Sequence, residues 1–172
     1  MDTVMEQDRL EEMMDQAIRE VAEKSGLHLQ PDSAPPTGEL CTVHITFKKG
    51  FRSSLIFYAD SSMFARMVQD IVQKDHPSEQ DIEDFSKEYF NVLCGRIAAL
   101  FYDETKVPVR FSVPSFYKGR YEPEGQEEQF SLSYSTEKRE GARLIHYVPS
   151  YRVDKLDQTD ETNKTDNMDK TQ

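Results

Sequence analysis

Residues 78–103, SEQDIEDFSKEYFNVLCGRIAALFYD, hold the longest run of helical periodicity in the chain. His76-Pro77 breaks whatever precedes it, and Ser78 with Asp81 three residues later resembles a capping box with Asp in place of Glu. Projected at about 100° per residue from Ile82, Phe85, Tyr89, Leu93, Ile97 and Leu100 fall within about 60° and define an expected buried stripe. Asp84, Glu88, Asn91 and Gly95 fall at about 180–240°, on one face pointing away from it. That face is unusual for a solvated surface. A helix-interior glycine costs about 1 kcal/mol relative to alanine. Ala98 and Ala99 extend the stretch of minimal side-chain bulk, and Asn91 is a poor mid-helix residue because its amide competes for backbone hydrogen bonds. Taken alone, Glu88 and Asn91 also read as ordinary surface residues, with Gly95 relieving a helix crossing.

Upstream, Cys41, Val43, Ile45 and Phe47 alternate with Thr42, His44, Thr46 and Lys48, the period of a strand with one buried face. Lys49-Gly50 reads as a tight turn and Phe51 to Ala59 as the return strand. Asp60-Ser61 is then a helix N-cap, followed by an apolar stripe of Met63, Phe64, Met67, Val68, Ile71 and Val72. Downstream, Val109, Phe111 and Val113 suggest a strand, Ser115 to Gln129 a loop, and Phe130–Tyr134 with Ala142–Val148 a second hairpin across Glu140-Gly141. At the N-terminus, residues 3–25 carry Leu10, Met13, Met14, Ala17, Ile18 and Val21 at helical spacing with Gly26 as a stop, and Gln30 to Gly38 should be a loop. The order indicates an α+β domain with a mostly antiparallel sheet and helices packed on it, over residues 1–150 with a core from 40 to 150. Residues 151–172, poor in apolar side chains, read as a disordered polar tail, and Asn163-Lys164-Thr165 within it matches a glycosylation acceptor by chance, because a cytosolic protein never meets the transferase.

The 172 residues suit one domain. With 32 Asp and Glu against 21 Lys and Arg, the net charge of −11 repels nucleic acid and anionic lipid. No leader and no apolar run of about 18 residues is evident, which points to the cytoplasm and away from membranes. Cys41 and Cys94 are far apart and best taken as reduced and buried, and the four histidines do not cluster, so no metal ligands are expected. There is no Gly-rich phosphate loop and no Ser/His/Asp signature.

Glu88-Tyr89-Phe90-Asn91-Val92-Leu93-Cys94-Gly95, with Asp84 one turn earlier, resembles the E-x-x-N-x-x-x-G signature of the CheC/CheX/FliY phosphatases. The order of elements from Leu40 to Val148 fits as well, and the single motif is most like CheX. The resemblance implies hydrolysis of the aspartyl phosphate of a CheY-like response regulator, in chemotaxis or related two-component signalling. In this reading Asn91 orients the attacking water and Glu88 salt-bridges the regulator's lysine. Asp84, Gly95, Phe90 and Ala98 belong to the docking surface. Mg²⁺ is expected in the regulator and no cofactor in this chain, and a homodimer built through the sheet is implied. Phe90, at about 80° from the reference, either packs on a neighbouring helix or extends the docking surface. The alternative from another class is a non-catalytic module that binds a response regulator or a flagellar switch component. A third reading is an acidic scaffold in which Glu88 and Asn91 do nothing.

Overall fold

A computed structural model describes residues 5–34, 36–49 and 53–150. The alternation from Leu40 onward forms a strand whose Cys41, Val43, Ile45 and Phe47 are all buried. In chain order the elements are α1 (Gln7–Lys24), β1 (Leu29–Pro31), β2 (Leu40–Lys49), β3 (Ser54–Asp60), α2 (Ser61–Met67), a π-helical turn (Val68–Val72), α3 (Glu79–Thr105), β4 (Arg110–Phe111), β5 (Ser115–Lys118), β6 (Gln126–Thr136) and β7 (Gly141–Pro149). The sheet runs β1-β6-β7-β3-β2-β4, with β5 also pairing β2, and every pair is antiparallel. The expected α+β architecture with helices on an antiparallel sheet is therefore what the chain adopts. The turn around Gly50, the start of the return strand at Phe51 and the tail from Tyr151 lie outside the described residues.

Two segments expected as loops contain strands. Leu29–Pro31 pairs with Tyr134–Thr136, and Ser115–Lys118 pairs with Cys41–His44. Strands of three and four residues are too short to display a period, and their place is fixed by backbone pairing. The last strand pair is longer than expected, because polar Gln126–Gln129 extends β6 before its apolar alternation begins.

The helix after β3 also departs from expectation. After Met67 the backbone opens into a π turn, so Met63, Phe64, Met67 and Val68 are buried whereas Ile71 and Val72 are 49% and 55% exposed. A turn closed by i→i+5 bonds rotates later residues off the 3.6-residue stripe. Asp60 does not cap this helix with its side chain. Its buried carboxylate instead accepts from the Gly38 amide at 2.8 Å and the Gly141 amide at 2.7 Å, joining the approach to β2 to the start of β7.

Every residue of β3 is buried. One face meets the helical layer. The other belongs to a second cluster of Ile56, Tyr58, Ile145 and Tyr147, against which Leu40 and Tyr121 pack. α1 ends with Gly26 at φ 78°, the Leu27 amide donating to Ala22 O and the Gly26 amide to Glu23 O, the bonding of a Schellman stop. Three polar contacts fasten α1 to α3: Arg9 to Glu104 at 2.9 Å, Arg96 to Glu20 at 2.5 Å, and Ser25 Oγ to Tyr89 Oη at 3.1 Å. At its N-terminus α3 carries the capping box expected for Ser78 and Asp81, with both reciprocal bonds formed.

His146 on β7 is buried, its Nδ1 2.7 Å from Gln129 Oε1, which only accepts, so Nδ1 carries the proton. Burial holds its pKa down at about 4, against a usual value of 6.5. A histidine depressed in the folded state contributes its full stability above the unfolded pKa and loses it as the pH falls. Stability should therefore drop between about pH 6.5 and 4, by up to about 1.4 kcal/mol per pH unit. Denaturant titrations at pH 7.5 and 5 check this, and His146→Gln should flatten that part of the profile.

Candidate functional site

The inward side of α3 is centred on Phe90, with Ser86, Leu93, Cys94, Ile97 and Phe101 also buried. Relative to the expected stripe this is a rotation of about 80°. Ile82, Phe85, Tyr89 and Leu100 are only partly buried on one flank of the same core. The helix is packed by α1, α2 and the sheet together, so its apolar arc is wider than a single seam.

Phe90 is consequently not part of an outer surface. It is fully buried and stacks on Phe57 of β3, with ring centroids 6.0 Å apart and planes at 22°. Ala98 is half-buried and lines neither of the two grooves beside the helix; Ala99 lines one of them. The remaining expected residues emerge together. Asp84, Glu88, Asn91 and Gly95 are all exposed. Asp84 accepts from Gln80 at 2.8 Å. Among the described residues Glu88 and Asn91 engage no hydrogen-bond or ion-pair partner, so both side chains present their full bonding capacity outward.

Glu88 stands on a crest between two grooves. On one side, a groove of about 420 Å³ places Asp84, Lys87, Glu88 and Asn91 opposite residues 111–114, where Val113 is 86% exposed. On the other, a larger and more apolar groove of about 610 Å³ runs between α3, the π turn and the end of α1. Ile71 and Val92, 49% and 51% exposed, lie in its walls. Ala99 belongs to the stretch of low bulk read from the sequence, whereas Val92, Ile71 and Val113 are not singled out there as surface residues. Val92 sits beside the motif asparagine and could have been flagged, whereas the others depend on the π turn and on tertiary placement.

Gly95 lies in the wall of the larger groove, and a Cβ built on it would meet nothing within 4 Å. No helix crossing among the described residues requires the glycine. Its backbone is helical, so no unusual conformation requires it either. The space over it is open to another molecule. Burial pushes the Cys94 thiol well up, and burial aided by Glu39 raises that of Cys41, so both free cysteines are protonated core residues. Among the described residues no group of three or more His, Cys, Asp and Glu is arranged to hold a metal ion, and no helix is long and apolar enough to cross a membrane.

A family model described as chemotaxis phosphatase CheX matches residues 41–134. No curated protein matches the sequence. Among solved structures, a chemotaxis protein CheX from Desulfovibrio desulfuricans superposes with a TM-score of 0.63 at 14% identity, over 82% of this chain and 99% of its own. The CheX chemotaxis protein of Vibrio vulnificus gives 0.60 at 14% identity, over 79% and 93%. A chain of the CheX-CheY-BeF3-Mg complex from Borrelia burgdorferi gives 0.60 at 10% identity, over 82% and 96%. At these identities the structural likeness speaks for the fold.

Two substitutions on α3 separate its two sides. Gly95→Ala should raise stability by about 0.5–1 kcal/mol, because alanine restricts the unfolded chain and meets open space. Phe90→Ala should lower it by about 3–5 kcal/mol by opening a cavity against Phe57. Urea titration of both variants reads these outcomes, and a destabilised Gly95→Ala would mean that the glycine serves the chain's own packing.

Proposed function

Since this chain belongs to the CheX family of chemotaxis phosphatases, we propose that it accelerates hydrolysis of the aspartyl phosphate on a CheY-like response regulator. The observation that carries this reading is the pair Glu88 and Asn91, exposed and unengaged on one face of α3 beside the bare backbone at Gly95. An acyl phosphate has a good leaving group, so its hydrolysis is limited by holding water in line with phosphorus. Asn91 supplies this without acid or base chemistry: its amide oxygen accepts from the water and its NH₂ donates. Glu88, one turn away, meets the regulator's lysine. Mg²⁺ belongs to the regulator and neutralises phosphoryl charge there. The CheX-CheY-BeF3-Mg complex supports a regulator of this kind as the partner.

Rigidity of the pair serves this chemistry. The capping box fixes the start of α3, and Phe90 and Leu93, one residue before Asn91 and two after it, are locked in the core. A loosely held asparagine would sacrifice the orientation on which its effect rests, since misplacement of about 1 Å costs roughly 100-fold in rate.

The family also suggests a homodimer built through the sheet. Among the described residues β1 covers only Tyr134–Thr136 of β6, so Gln126–Leu132 pair with β7 alone and offer a free edge to a second copy. We place the dimer there. Sedimentation at micromolar concentration should return a dimer, and a monomer would remove this part without touching the site.

Asn91→Ala is expected to abolish at least about 100-fold of the acceleration of dephosphorylation while preserving binding of the regulator. Glu88→Lys should weaken both, through repulsion of the regulator's lysine. The decay of regulator labelled with ³²P checks them. If Asn91→Ala keeps the full rate, the catalytic reading is wrong. A chain that binds the phosphorylated regulator without shortening its lifetime is a non-catalytic binding module.

A further inference from the structure

Resting on that reading of the site, we infer that the apolar groove beside Glu88 is a specificity pocket, taking an apolar side chain of the regulator flanked by an acidic group. Val21, Ile71, Phe85, Val92, Gly95 and Ala99 line it, and Glu88 stands on its rim. A side chain entering the groove is therefore contiguous with the surface that carries Asn91.

Three independent features show that the groove is built and not left over. The π turn carries Ile71 out of the core stripe and into the wall, leaving a large apolar side chain half in water. Gly95 removes bulk from the opposite wall although nothing among the described residues would meet a Cβ there. α1, which lies outside the residues matched by the family, supplies the third wall with Val21, Lys24 and Ser25, and is pinned to α3 by the Ser25–Tyr89 and Glu20–Arg96 contacts.

Charge sets the polarity of the occupant. Glu88 contributes a carboxylate with no partner among the described residues, while Lys24 and Arg96 contribute cations that both act on Glu20, which Arg96 bonds directly. A fitting segment presents a cation toward Glu88, an apolar side chain into the groove, and an anion toward Lys24. Since α1 supplies one wall, the groove ties the N-terminal helix to the choice among regulators and leaves the hydrolytic step to Asn91.

The experiment uses the full chain and purified CheY-like regulators, charged either with beryllofluoride and Mg²⁺ for binding or with acetyl phosphate for turnover. Ala99→Trp fills the groove from an exposed position, and Val92→Asp places charge in its wall, again at an exposed site. Each should weaken binding at least tenfold and raise KM equally, with kcat at saturation retained. Lys24→Glu should weaken binding severalfold, more at low salt than at high. Unaltered affinity in both Ala99→Trp and Val92→Asp would overturn the pocket. Asn91→Ala, run in parallel, reports on the underlying reading: loss of kcat with normal groove-variant affinity defeats the pocket alone. Retention of kcat in Asn91→Ala, or a wild-type chain that acts on no regulator, defeats the site and the pocket together.

Discussion

Phe90 of α3 stacks on Phe57 of β3, and the outward geometry follows from that contact. β3 is covered on both faces and Phe90 is flanked along the helix by Ser86, Leu93, Cys94, Ile97 and Phe101, all facing inward. This leaves α3 one rotational setting. A turn of the helix about its axis would expose one edge of this arc and force Glu88 or Asn91 into apolar surroundings, where an unpaired polar group costs several kcal/mol. The aromatic contact inside thereby determines the direction of two polar side chains outside.

The surface of α3 carries features that fold stability alone does not explain. A glycine with open space above it, exposed Val92, and Ile71 released by a π turn all sit around one groove. Each is mildly unfavourable for an isolated chain, and π turns concentrate at functional sites. Their coincidence next to the Glu88–Asn91 pair is more informative than any one of them.

Much of this was legible in the sequence. The capping box of Ser78 and Asp81, the strand beginning near Leu40, the stop at Gly26 and the shared exposure of Asp84, Glu88, Asn91 and Gly95 all follow from local rules of period and capping. What escaped had non-local causes. Centring α3 on Ile82 assumed one buried seam, whereas three neighbours pack the helix, so Phe90 lay on the flank of the projection and in the middle of the core. β1 and β5 are held by backbone pairing that side chains do not announce. The π turn leaves the residue pattern looking like continued helix. Asp60 has the sequence signature of a cap because the residue types that cap helices are also those that accept hydrogen bonds from distant amides.

That last residue bears on how the domain assembles. Asp60 sits at the end of β3 with both carboxylate oxygens occupied, one by an amide 22 positions earlier and one by an amide 81 positions later. Until both segments arrive, the closing core would enclose a charge short of a donor. Intermediates with only half of the strands in register are penalised, and the early and late parts of the chain are bound into one cooperative unit. The domain should accordingly melt in a single transition, without shedding its last hairpin first.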